Sequence, residues 1–231
     1  MNANVKLEAV EIEFGEEAAI SGQLCTPEWW PSGHRLGIVI GHDAETSFKA
    51  AEMLELQQGL AKQGHLTFAF NFPYAQAGKK RPDPMAKLVR AYRAACASLV
   101  RDAESAPTRL IVGGFGLGGR VACHMVAQGT KVEGIFCLGF PLHPANKPHL
   151  QRAEALYRII CPVLFVQGSN DVYCRVDRLT SLLRTVGAPT QLYVIDGCGR
   201  GLTPNGKTGR APEEIYAETL RATDAFIRKI L

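Results

Sequence analysis

The chain has 231 residues, 46% of them hydrophobic and 21% charged, with 26 basic against 22 acidic side chains for a net charge of +4. That length can bury a sizeable core in one large domain or two small ones, and the apolar content is too high for disorder. The mild positive charge falls well short of the basic stripe that nucleic-acid binding needs, and no apolar run reaches the ~18 residues of a membrane span.

In chain order, Val5 to Phe14 mostly alternates apolar and polar residues, Gly15-Glu16-Glu17 makes a turn, and Ala18 to Cys25 forms a second strand, predicting an N-terminal antiparallel hairpin or meander. Leu36 to Ile40 (LGIVI) is a short continuous apolar run of the kind covered on both faces. The spacing of Ala50, Met53, Leu54, Leu56 and Leu60 predicts a helix from about Thr46 to Lys62, closed at Gly64, and Leu66 to Phe72 is the next strand. Tyr74 to Pro84, with Gly78, Pro82 and Lys79-Lys80-Arg81, reads as a loop, and a helical pattern runs from Pro84 to Val100. Arg109–Gly113 is a strand, Leu117–Gln128 a helix, Val132–Phe140 a strand, and Arg152–Ile159 a short helix after a loop with three prolines. Strands at Val163–Gln167 and Gln191–Ile195 flank a helix near Val176–Thr185, and Glu213–Leu231 closes the chain as a helix.

Two strands followed by repeated β-α units predict an α/β fold. It is a three-layer α/β/α sandwich on a mostly parallel sheet with antiparallel N-terminal strands, and one domain covers residues 1–231. Ligands on such sheets bind outside the carboxyl ends of the strands. The loops beginning near Gly41, Phe72, Gly114, Phe140, Gly168 and Asp196 are therefore the candidates. Seven cysteines, none in a C-x-x-C pair, read as reduced thiols of a cytoplasmic protein, and residues 1–10 lack the basic-then-apolar order of a signal peptide.

The turn Gly113-Gly114-Phe115-Gly116-Leu117-Gly118-Gly119 follows a strand and opens a helix. Gly114-x-Gly116-x-x-Gly119 matches the dinucleotide fingerprint, but that motif needs an acidic residue at the end of the next strand, where this chain has Phe140-Pro141-Leu142-His143. The nucleophile elbow G-x-S-x-G fits better. Gly114-Phe115-Gly116-Leu117-Gly118 matches it everywhere except at the serine. An acid should follow after a later strand, where Asp171 stands, and then a histidine after the last strand, yet no histidine occurs beyond His149.

On these residues the chain resembles the small, cap-less branch of the α/β-hydrolase-fold superfamily that contains the dienelactone-hydrolase-like enzymes. It is similar, more closely, to the testis-expressed α/β-hydrolase-like proteins. The resemblance runs from about Leu36 onward and is carried by Gly118-Gly119-Arg120, Pro141-Leu142-His143-Pro144, Cys161-Pro162-Val163-Leu164-Phe165-Val166-Gln167-Gly168 and Asp171. It implies an acyl-transfer triad, and against it the chain is degenerate. Gly116 stands in the nucleophile slot, Arg200 in the histidine slot, and His42-Asp43-Ala44-Glu45 where the family places a histidine followed by small or glycine residues beside the oxyanion site; Asp171 alone keeps its role as the triad acid.

The chemistry changes accordingly. Acyl transfer needs an attacking oxygen and a base. Gly116 supplies no side chain, and arginine stays protonated. Asp43 or Glu45, if turned inward, would set negative charge where the reaction develops it. The expectation is a pseudoenzyme that binds a small molecule or a protein partner, with homo-oligomers left open. The alternative is an esterase-type hydrolase with a non-standard mechanism in the same cleft. The candidate cleft residues are His42, Asp43, Phe115, Leu117 and His143 beside Gly116, Asp171 and Arg200. No metal-ligand spacing appears and no cofactor is implied. Cys123 reads as core, Cys198 as a loop cysteine with an exposed reactive thiol as the alternative, Ser169 as a hydroxyl with no base, and Trp29-Trp30 as an exposed apolar patch or a pair packed over the sheet edge. Gly197–Pro212 is expected to be a loosely held loop. If Arg200 fills the histidine slot, an Arg200–Asp171 ion pair is expected to fill the former triad space.

Overall fold

The computed structural model describes residues 4–28, 35–101, 106–145, 147–204 and 209–231; Trp29-Trp30 lies outside them. Eight strands make one sheet: β1 (Val5–Phe14), β2 (Glu17–Pro27), β3 (Leu36–Gly41), β4 (Leu66–Phe70), β5 (Arg109–Phe115), β6 (Gly134–Leu138), β7 (Val163–Gly168) and β8 (Thr190–Ile195). Their spatial order is β1-β2-β4-β3-β5-β6-β7-β8. β2 runs antiparallel to both β1 and β4, and every other pair is parallel. The helices in chain order are α1 (Ala51–Lys62), α2 (Pro73–Gln76), α3 (Met85–Arg101), α4 (Leu117–Ala127), α5 (Val176–Leu183) and α6 (Pro212–Ile230).

Pattern explains placement. The apolar runs of β3, β4, β6 and β7 are buried at every residue because helices cover both faces. Alternate side chains of one strand then feed two cores. Ile38, Ile40 and Ile111 pack with Met53, Leu56 and Leu60 of α1 and with Phe226 and Ile227 of α6. Val39 and Val112 face Tyr92 and Leu99 of α3 and Val121 and Met125 of α4, on the side where α5 places Leu179 and Leu182. The outer strands β1 and β8 are only partly buried.

Several boundaries differ from expectation. α1 begins at Ala51, because residues 46–50 are held by other partners: the Thr46 N–H donates to the Asp43 carbonyl, and the Phe48 N–H to Asn71 Oδ1 at 3.3 Å. β4 ends at Phe70, since the Asn71 N–H turns to the Ser21 carbonyl and the Phe72 N–H to His42. Pro73 then opens the one-turn α2 where a loop was expected. The Arg152–Ile159 helix reduces to a 3₁₀ turn at Leu156–Arg158, and the strand expected over Val132–Phe140 is β6 alone, followed by Gly139 at φ +64°.

Candidate active-site cleft

The elbow is built by close approach. β5 delivers Gly116 at φ +46° and ψ −108° as the N-cap of α4, a region that L side chains enter only under strain. Its N–H donates to the Leu138 carbonyl of β6 at 2.8 Å, and its carbonyl accepts the Arg120 N–H at 3.2 Å. α4 presses so near β3 that a Cβ on Gly118 would lie 2.1 Å from the Gly41 carbonyl oxygen. The glycines of this turn are therefore a packing requirement and not a nucleotide cradle.

The loop after β3 turns Asp43 into the elbow. Asp43 Oδ1 accepts the Leu117 N–H at 2.9 Å, and a Cβ on Gly116 would stand 1.9 Å from the same oxygen. In hydrolases built on such an elbow, the N–H of the residue after the nucleophile is an oxyanion donor. Here that donor is taken by the chain's own carboxylate. Arg200, in the 3₁₀ turn Arg200–Leu202 after β8, holds the other side of the group. Its Nη2 lies 3.5 Å from Asp43 Oδ2 and its Nη1 2.9 Å from Glu45 Oε1, with the guanidinium 4.9 Å over the Tyr173 ring.

Asp171 is buried in the loop after β7, but the expected Arg200–Asp171 ion pair does not form. Asp171 Oδ2 accepts from Gln167 Nε2 at 2.7 Å and Oδ1 from the Tyr173 N–H at 2.8 Å. Two local donors satisfy the carboxylate, so the guanidinium swings to Asp43 and Glu45 instead. Burial pushes the Asp171 pKa above the usual carboxylate value, against the pull of those two bonds and the more distant Arg200 charge.

Two other expected cleft residues are buried supports: His42 stands behind the cleft wall, and His143 borders a neighbouring cavity of about 490 Å³ that shares Asp171. His42 is fully buried. The Phe72 N–H donates to its Nε2 at 3.0 Å, so Nδ1 carries the proton and donates to the Asp43 carbonyl at 2.6 Å. Burial lowers its pKa to about 4; it is a neutral brace behind Asp43. His143 is also buried; its Nδ1 contacts the Pro144 carbonyl at 3.0 Å, Nε2 accepts the Arg175 N–H at 3.4 Å, and its N–H donates to the Tyr173 carbonyl. It fastens the loop that carries Asp171. Cys123 is core as expected, 3.5 Å from Cys137, and Cys198 is fully buried, so no exposed thiol faces the cleft. Ser169 spends its hydroxyl on Asp196 and accepts the Gly197 N–H. The first part of the Gly197–Pro212 loop is pinned by a Cys198–Pro204 bridge and by buried Leu202, contrary to expectation; residues 205–208 lie outside the described residues.

A cavity of about 450 Å³ opens at the carboxyl ends of the strands, with Gly116, Leu117, Asp43, Asp171 and Arg200 on its wall. Arg200 and Asp43 also border a second cavity of about 500 Å³, on which Phe115 lies. The first cavity is also lined by Asp83, Arg120, Tyr173 and Arg152, none of them among the expected cleft residues. For Arg120 a signal existed. It stands one helical turn after Gly116, the position that shares its face, and, His124 apart, it is a charge inside an apolar helix. No group of His, Cys, Asp and Glu fit to hold a metal occurs among the described residues, nor does a helix long and apolar enough to cross a membrane.

An eight-stranded sheet with one antiparallel strand near its edge and a strained elbow after β5 defines a class, and sequence comparison agrees. Residues 34–228 match the alpha/beta hydrolase domain family, and the chain belongs to it. Solved structures share the fold at low identity. A dienelactone hydrolase from Anabaena variabilis superposes with TM-score 0.74 at 17% identity, over 99% of each chain. An alpha-beta serine hydrolase homologue from Coxiella burnetii gives 0.70 at 18%, over 93% of this chain and 94% of that one. An esterase from Pyrococcus furiosus gives 0.71 at 18%, over 95% and 90%.

Proposed function

We propose that this chain is a non-catalytic member of the α/β-hydrolase family, nearest in kind to the testis-expressed α/β-hydrolase-like proteins, whose cleft binds a ligand instead of cleaving one. The observation that carries this reading is the position of Asp43. Its carboxylate occupies the elbow twice over, accepting the Leu117 N–H and filling the space a nucleophile's side chain would need. A resident anion there opposes the negative charge that acyl transfer must develop. Gly116 offers no attacking atom, and Arg200, bound to two carboxylates, accepts no proton.

A fluorophosphonate probe and a panel of p-nitrophenyl esters test this directly. The expected outcome is no labelling and no turnover above that of heat-denatured protein. Turnover that survives in Asp43→Asn, or labelling at any serine, overturns the reading. Turnover lost in Asp43→Asn assigns the alternative, a hydrolase in which the Asp43 carboxylate itself acts as nucleophile or base from the place the serine would have held.

A further inference from the structure

We infer that the cavity beside Gly116 is a site for a small organic anion that also carries a hydroxyl or amine donor, with Arg120 and Arg152 taking the anion and Asp83 the donor. The inference rests on the reading of this protein as a binder and names its ligand class. Arg120 and Arg152 both line the cavity. Neither guanidinium has a hydrogen bond or ion pair among the described residues, and Arg120 Nε is buried with no partner. Burial first, and then the neighbouring Arg152 charge, hold the Arg120 pKa below its ordinary value. Two like charges facing one cavity repel, and an anion between them converts that repulsion to attraction.

The nearby carboxylates do not already do this. Asp43 is committed to Leu117 and Arg200, and Asp171 to Gln167 and Tyr173. Glu154 adds a field at Arg120 but no bond. Asp83 is the complementary case. Its Oδ2 is buried without a partner, and Lys87 Nζ reaches only the other oxygen, at 3.9 Å. An orphan donor pair and an orphan acceptor thus share a cavity whose remaining wall includes apolar Met85, Leu88 and Leu117. Few convergent polar groups on an apolar wall are the usual make-up of a small-molecule site, and the volume suits a ligand of one ring and a short chain.

Calorimetric titration with four probes tests it: 3-phenyllactate, 3-phenylpropionate, phenyl phosphate and the neutral 3-phenyllactamide. The anions are expected to bind saturably and the amide about tenfold or more weaker. Phenyl phosphate against phenylpropionate then ranks phosphate against carboxylate as the anionic group. Arg120→Gln and Arg152→Gln should each weaken the anions about tenfold while leaving the amide unchanged. Arg152 is half-exposed in a loop, so its variant tests the idea even if the Arg120 variant fails to fold. Asp83→Ala should erase the advantage of phenyllactate over phenylpropionate, and a preference left intact overturns the donor contact. Equal binding of acid and amide, full affinity in Arg152→Gln, or no saturable binding below about 10 mM overturns the inference. None of these touches the non-catalytic reading, which fails only on ester turnover or probe labelling.

Discussion

Two groups of charges meet at the cavity beside Gly116, the first extending through Glu45 to the neighbouring cavity, and they differ in a single respect. Beside the elbow, Asp43, Glu45 and Arg200 satisfy one another, and Leu117 closes the set. One helical turn along α4, Arg120 and its neighbour Arg152 have no partner among the described residues. A charge that the chain itself neutralises serves the fold, and removing its partner leaves a half-buried ion behind. A charge that nothing in the chain neutralises costs stability and is kept for something the fold does not supply. The two groups should therefore answer mutation with opposite signs.

The largest loss is expected at the elbow itself. Gly116→Ser places a Cβ 1.9 Å from Asp43 Oδ1 at φ +46°, combining overpacking with a backbone conformation that disfavours a side chain. A destabilisation of about 3 kcal/mol is expected in urea unfolding. In an Asp43→Gly background the clash is gone and only the backbone cost of about 1 kcal/mol should remain. The coupling between the two sites is the measurement. Additive effects would mean that Asp43 does not occupy the nucleophile's space, and the comparison would lose its first half.

The next effect is a pH dependence. His42 braces Asp43 in its neutral form, with a folded pKa of about 4 against 6.5 when free. The unfolded chain therefore binds the proton first as pH falls. Stability from this group is complete above pH 6.5 and is lost progressively toward pH 4, to a total of about 3 kcal/mol. His42→Gln should flatten that part of the stability profile. An unchanged slope between pH 6.5 and 4 would place the titration elsewhere. Arg200→Ala comes third. It strips Asp43 and Glu45 of their cation in a half-exposed site, between the surface and buried cases, so a loss of about 1–2 kcal/mol in thermal or urea unfolding is expected. A loss near zero would show that Asp43 is held by Leu117 alone.

The fold was legible because its signals are local and repeated. The apolar runs at Leu36–Ile40 and Val163–Gln167 and the glycine turn at Gly116 each name their own element, and the structure places them within a residue or two. The site was legible as a place but not as a set of contacts. Gly116, Asp171 and Arg200 do meet on one cavity wall, yet the partner of Arg200 was misassigned. The choice between Asp171 and Asp43 depends on which carboxylate already has donors, and Gln167 Nε2 and the Tyr173 N–H settle it through a loop conformation no spacing rule encodes. His42 and His143 read as exposed cleft residues for the same reason, and both are buried. Their burial is decided by Phe72 and Arg175, which are 30 and 32 residues away in sequence.

The smallest prediction carries the opposite sign and is the sharpest test of the comparison. Arg120→Met keeps the length and apolar stem of the side chain and removes an unpartnered, partly desolvated charge. Burial and the Arg152 charge both disfavour that charge in the folded state, and Nε has no acceptor to lose. Replacing a buried ion by a hydrophobe of similar size is often neutral or stabilising, so a gain of about 1 kcal/mol in unfolding free energy is expected. The gain should shrink when both proteins are unfolded in phenyllactate, because a ligand that binds folded wild type about tenfold more tightly than the variant raises wild-type stability by more. A loss of stability in Arg120→Met would mean that the guanidinium is already paired in solution, and the contrast between the two groups of charges would collapse.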